Sequence, residues 1–174
     1  SAVRCVALAL VALGCFLRFY DLDAKLFWHD ETYTGLAIAG SSFAEIRAAL
    51  LDGRDHRRQE LLAHQFPREG KNTVDTIRAM AEYQPRHPPL YFVLARGWTI
   101  LFGPSITSLR AFSAFLGLLS LPLVFLLCRE LDDDRLFRWI AVSLVAISPL
   151  HLVYAQEARQ YLLWIDLLLL ASWL

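Results

Sequence analysis

Apolar residues in this chain gather in blocks instead of recurring along one face. The blocks cover residues 5–17, 111–128, 139–155 and 160–174. A helix that is hydrophobic all round lies in a core or in lipid, and a bilayer is crossed by roughly 20 apolar residues. The pattern predicts transmembrane helices over residues 2–19, 109–128, 137–153 and 160–174. The last run is about 15 residues, short of a span of roughly 20, and is read as truncated. Residues 1–174 are then the N-terminal part of one membrane domain. Arg4 ahead of an apolar stretch partly fits a cleaved leader, but Arg18, Phe19 and Tyr20 stand where small residues would mark a cleavage site. Those three fit an interfacial anchor, so the first helix is expected to be retained.

Residues 20–108 form a long loop with short helices in it. Asp30 or Glu31 opens one helix, running through Leu36 and Ile38 to Gly40. Ser42 and Glu45 have the S-x-x-E spacing of a capping box ahead of Ile46, Ala49 and Leu50. Asn72 starts another, with Val74, Ile77 and Met80 at helical spacing. Amphipathic helices of this kind lie on a membrane surface. The stretch from Asp52 to Lys71 is dense in charge and reads as a solvated excursion. Residues 88–103 are apolar but short, with Arg96 at the centre. A charge at mid-bilayer costs about 2.5–3.5 kcal/mol on insertion scales, so an interfacial or re-entrant helix suits the segment better than a crossing.

Topology follows from the arginines. If 88–103 does not cross, Arg129, Arg135 and Arg138 face the cytoplasm, which satisfies the positive-inside rule. Residues 20–108 and 154–160 then share the outer side. Composition agrees with a membrane protein: 56% hydrophobic, 20% charged and a formal net charge of zero. Without a basic excess there is no electrostatic footprint for nucleic acid. Cys5, Cys15 and Cys128 lie in or beside apolar runs without metal-ligand spacing, and read as inert thiols.

Four polar clusters fall at the outer ends of these helices: His29-Asp30-Glu31, Arg86-His87, Arg110, and Gln156-Glu157-Arg159. Taken singly, each has a plain explanation. Acids at a helix start complement the helix dipole, interfacial arginines snorkel, and a histidine before two prolines is an ordinary loop residue. Together, carboxylates and several cations at one interface suit a phosphate-bearing lipid substrate. Asp166, inside an apolar run, stands apart from them.

The segments LFWHDETYT, RHPPLYFVLARGW, LFGPSITSLRAFSAFLGLLSLPLVFLLCREL and SPLHLVYAQEARQYLL occur in this order. They resemble the bacterial relatives of the protein O-mannosyltransferases and the lipid A aminoarabinose transferases. The likeness runs over nearly the whole chain except about residues 52–82. It implies a GT-C-like, all-α fold: polytopic transmembrane helices with a long extracytoplasmic loop of short interfacial helices. It also implies a glycosyltransferase moving a sugar from a polyprenyl-phosphate donor to an acceptor hydroxyl, with inversion. The acceptor would be a protein or a glycolipid. The enzyme would sit in the bilayer of the bacterial plasma membrane, with its site facing the periplasm or exterior. By the same resemblance, Asp30 matches the catalytic aspartate, as general base, with Glu31 beside it. His87, Arg110, Glu157 and Arg159 match residues around the donor phosphate. Some relatives hold a divalent metal with a Glu at the end of the first loop. This chain has Gln84-Pro85-Arg86-His87 there, so no metal or other cofactor is expected. The charged stretch 52–71 reads as longer than in most relatives, which leaves the acceptor open.

Two other functions remain open on the sequence. A transporter or channel fragment places ionisable groups at mid-membrane, and Asp166 fits that pattern. A non-catalytic membrane subunit would keep the fold without the chemistry.

Overall fold

The computed structural model describes residues 2–174. Among them all regular secondary structure is α-helical, in keeping with the sequence. The chain divides into two compact units. One takes the residues up to Ala24 together with Arg110–Leu174, and the other takes Lys25–Leu109.

The first unit contains α1 (Ala2–Phe19), most of α7 (Ile106–Leu131), α8 (Arg135–Ile147), α9 (Pro149–Ala155) and α10 (Tyr161–Trp173). Helices α1 and α7 are each long and apolar enough to cross a membrane. Between residues 137 and 153, where an unbroken helix is expected, the chain bends by 56° between α8 and α9. The cause is local. Ser148 precedes a proline, which disfavours helical backbone at that position, and it is extended, with φ −57° and ψ 122°. Pro149 then opens α9, where its missing N–H costs nothing. The Ser148 hydroxyl accepts from the His151 N–H at 3.5 Å.

Small residues bring the helices of this unit together, as membrane helices require when no hydrophobic effect drives them. A Cβ on Gly14 would overlap the Ala146 carbonyl, and Ser143 Oγ donates to Ala7 O at 3.2 Å. Contacts rise together along both helices, from Ala7 with Ser143 to Arg18 with His151, so α1 and α8–α9 run parallel. Helices α7 and α10 also run parallel. Leu162 packs on Gly117, and Asp166 meets Ser120 one turn further on. Leu121, Val142 and Ala146 form the buried centre, with Val11, Cys15 and Phe125 against it. Outward residues such as Val6, Phe16, Leu119, Leu144 and Leu168 are exposed, as on helices immersed in lipid.

The second unit contains α2 (His29–Ala39), α3 (Phe43–Leu50), α4 (Arg58–Ala63), α5 (Thr73–Tyr83) and α6 (Leu90–Phe102). The two expected caps form. Ser42 Oγ accepts from the Glu45 N–H, and Glu45 Oε2 accepts from the Ser42 N–H at 3.0 Å. Asn72 Oδ1 accepts from the N–H groups of Val74 and Asp75 at 2.8 and 3.3 Å. Gly40 ends α2 with φ +70°, a left-handed turn that favours glycine. Helix α5 turns Thr76, Ala79 and Met80 inward and leaves Val74 and Ile77 exposed. The expected stripe through Val74, Ile77 and Met80 is therefore split, because the inward face is the one that meets α2 and α6. The charged stretch contributes to this core: Gln65 and Phe66 are buried within it.

Arg96 of α6 turns inward. It donates to Ile38 O and to Lys71 O, both at 2.5 Å. Ile38 lies in the last turn of α2, where carbonyls lack helical partners. The central arginine of the apolar 88–103 segment therefore serves as a C-terminal cap. On the opposite face Leu90, Leu94 and Leu101 are exposed.

Candidate functional site

The expected carboxylates lie in the first turn of α2, where the helix dipole favours negative charge. The two differ sharply. Glu31 is fully buried, and its Oε2 accepts from the Trp28 N–H at 3.4 Å, the reciprocal half of a capping arrangement. The Asp30 side chain keeps 34% of its surface exposed, and its Oδ1 lies 3.5 Å from His29 Nδ1. The Tyr33 ring packs edge-on against His29 at 4.8 Å. Asp30 is thus the more exposed carboxylate of the pair. His87 is half-buried in the turn before α6, where its N–H donates to Gln84 O at 3.0 Å.

The cations of the first unit belong to a different constellation. Helix α1 ends at Phe19, and Asp21 turns the chain with φ +52°. Aspartate is among the few non-glycine residues that visit this conformation readily. The turn leaves the last carbonyls of α1 without helical partners, and side chains from distant segments fill them. Arg110, fully buried, donates from Nη1 to Leu22 O at 2.7 Å. Gln156 Nε2 donates to Leu17 O at 2.8 Å and to Tyr20 O at 3.0 Å. The residue opening the 110–131 stretch and the turn carrying Glu157 and Arg159 are thereby fastened to one piece of backbone. The chain leaves this unit after Ala24 and returns at Arg110, and the Arg110–Leu22 bond puts departure and return at the same end.

Arg159 is buried, with its guanidinium 6.0 Å from the centre of the Tyr161 ring. Tyr161 in turn stacks near Tyr154, at 4.7 Å. These two rings and Trp164 line a groove of about 420 Å³ whose other walls include Val145, Ser148 and His151. The groove is mostly apolar, and the Arg159 guanidinium lies near one of its aromatic rings. His151 is held from the other side by Arg18, whose Nη2 lies 3.0 Å from its Nδ1. Arg18 is fully buried and also donates to Gly14 O and Ala146 O, both at 2.7 Å.

Asp166 is buried in α10 and accepts from Ser120 Oγ at 2.5 Å, while its Oδ2 has no hydrogen-bond partner. Among the described residues no group of three or more His, Cys, Asp or Glu side chains is placed to hold a metal ion.

The charged stretch satisfies itself. Asp52 is held at a pKa of about 2 by its hydrogen bond to the Arg54 side chain. The His56 pKa is raised, chiefly by its bond to Glu60 and also by Asp52. The Glu45 pKa is lowered by the Lys71 ammonium at 2.7 Å. Burial lowers the His64 pKa, and Arg68 adds to the effect.

Reading the sequence alone singled out Arg18, Arg96 and Gln156 without their partners, and did not single out His151. The first three donate to backbone carbonyls far along the chain, and a carbonyl leaves no trace in residue identity.

Comparison with curated proteins finds no match, and comparison with solved structures finds none. A profile of the dolichyl-phosphate-mannose-protein mannosyltransferase family matches residues 57–163. That span contains His87, Arg110, Glu157 and Arg159, whereas Asp30 and Glu31 precede it. It covers more than half of the 174 residues. With two membrane-length helices and an all-α fold besides, the chain belongs to the dolichyl-phosphate-mannose-protein mannosyltransferase family and is an integral membrane glycosyltransferase.

Proposed function

We propose that the protein moves a hexose, mannose by the family's name, from a polyprenyl-phosphate donor to an acceptor hydroxyl on the extracytoplasmic side of the membrane. The observation that carries this reading is the pairing of a buried guanidinium, Arg159, with an apolar aromatic groove through the shared Tyr161 ring. A lipid phosphate has the matching shape, an anionic head on a hydrocarbon chain. Arg110 and the Glu157–Arg159 turn are fixed to the same end of α1, so the positive charge needed by a departing phosphate is pre-arranged there.

In the proposed step Asp30 takes the proton of the acceptor hydroxyl. The acceptor oxygen forms a bond to the anomeric carbon from the face opposite the phosphate. The bond between that carbon and the phosphate oxygen breaks, its electron pair leaving with the polyprenyl phosphate, and the anomeric centre inverts. Arg159, Arg110 and His87 stabilise the leaving anion. Glu31 shapes the start of α2 and holds Asp30 in place. The family's name points to a protein acceptor. Arg129, Arg135 and Arg138 after α7 support a site on the outer side of a bacterial plasma membrane.

The test is sugar transfer from a mannosyl polyprenyl phosphate by the detergent-solubilised full-length protein, with donor binding measured in parallel. Asp30→Asn is expected to lower turnover on the order of 10²–10⁴-fold, the range of general-base contributions, with donor affinity retained. Glu31→Gln is expected to act mainly on stability, by about 1 kcal/mol, as a lost cap does. Near wild-type turnover in Asp30→Asn would remove Asp30 as the base.

A further inference from the structure

We infer that Gln156 is a positioning residue for sugar transfer, a proposal that rests on the donor-phosphate reading of Arg159 given above. A glutamine amide nitrogen carries two hydrogens. In Gln156 both are directed at unpaired carbonyls of the α1 end, Leu17 O at 2.8 Å and Tyr20 O at 3.0 Å. Gln156 is also the residue that closes α9, its own N–H bonded to Leu152 O and Val153 O at 3.2 Å. One side chain therefore joins the C-terminus of α9 to the C-terminus of α1.

The turn from Gln156 to Gln160 lies between two helices, buries Ala158, Arg159 and Gln160, and has the Arg159 N–H on Glu157 O at 2.7 Å. The Gln156 bridge ties the start of this turn to the end of α1. The same α1 end holds Arg110 through Leu22 O. Gln156 thus ties the Glu157–Arg159 turn to the segment that also holds Arg110, the two cationic elements assigned to one phosphate. Misplacement of about 1 Å at such a site costs turnover on the order of 10²-fold.

The chemistry of the bridge predicts an unusual substitution pattern. Gln156→Glu is isosteric but puts carboxylate oxygens against two carbonyl oxygens, with nothing to donate. Gln156→Lys restores an ammonium with three donors. In the full-length protein, Gln156→Glu is expected to lower kcat on the order of 10–10²-fold. It should change the donor KM less, because charge on the phosphate is greatest as it departs. Gln156→Lys is expected to recover most of the loss. A residue needed only for folding would instead lower the folded yield of both variants and leave kcat per folded enzyme unchanged.

Amide exchange is read on the same samples. Gln156→Glu should lose protection over residues 156–161 and over 17–22 together, with α7 unaffected. Wild-type kcat in Gln156→Glu, or equal impairment of the Glu and Lys variants, overturns the proposal while leaving the proposed reaction intact. If the wild-type protein itself transfers no sugar from the donor, the proposed function fails, and the bridge is judged by exchange alone. Unchanged protection in Gln156→Glu then overturns it.

Discussion

Replacing Arg18 with methionine keeps most of the side-chain volume and removes every donor. The magnitude follows from what is left behind. Ala146 O accepts from Arg18 at 2.7 Å and lies at the end of α8, where the break at Ser148 removes its helical partner. His151 Nδ1 pairs with Arg18 at 3.0 Å, and His151 is buried. Gly14 O and Val145 O are less exposed to loss. The first lies inside α1, and the second also accepts from the Ser148 N–H at 3.3 Å. Two buried groups are thus orphaned, at about 1–3 kcal/mol each, which gives roughly 2–6 kcal/mol for Arg18→Met. Arg18→Lys, with one donor group in place of the fork, should lie between the two. The assay is reversible unfolding of the full-length protein in mixed micelles of increasing SDS fraction, read by far-UV circular dichroism. If Arg18→Met unfolds within about 0.5 kcal/mol of wild type, the size of an ordinary surface change, then the guanidinium is not what satisfies the end of α8.

Two further predictions concern the side of the membrane and the charged stretch. In a cysteine-free background, Asp55→Cys should react with an impermeant reagent added outside whole cells and Asp133→Cys should not; the reverse pattern would sink the topology derived from the arginines. The segment 52–60 should have an optimum in pH. The raised His56 pKa contributes order that is full below the unfolded value of 6.5 and is lost as pH rises through the folded one. The lowered Asp52 pKa contributes order present above 3.8 and lost as pH falls towards about 2. Amide exchange, corrected for its intrinsic pH dependence, should therefore be slowest between these limits, and His56→Gln should flatten the upper limb. Equal slopes in wild type and His56→Gln would refute the assignment.

What the sequence revealed was governed by distance along the chain. The Ser42–Glu45 and Asn72 caps are readable because donor and acceptor lie within one turn. The Ser148–Pro149 break is equally local. It escaped because the apolar run through it reads as continuous, and hydropathy carries no information on backbone direction. Arg96 was noticed as an anomaly in an apolar helix, but its partners, Ile38 O and Lys71 O, are supplied by folding. The same holds for Arg18 and Gln156. At the candidate site, motif order identified Asp30 and Glu31 as a pair, yet only burial separates the exposed carboxylate from the one that caps α2.

The end of α1 also sets an order of assembly. Carbonyls of this helix end and the turn after it, and its arginine, take partners made much later: Arg110 for Leu22, Ala146 for Arg18, and Gln156 for Leu17 and Tyr20. A nascent chain that has released only α1 carries an incomplete helix end, with a guanidinium and several carbonyls that must stay hydrated at the membrane surface. All of Lys25–Leu109 must emerge before the first partner arrives, and the entropy of closing so long a loop grows only logarithmically with its length. Delay, more than the free energy of closure, is then the hazard of this arrangement during synthesis. A chain interrupted before Arg110 would carry that helix end with none of these distant partners.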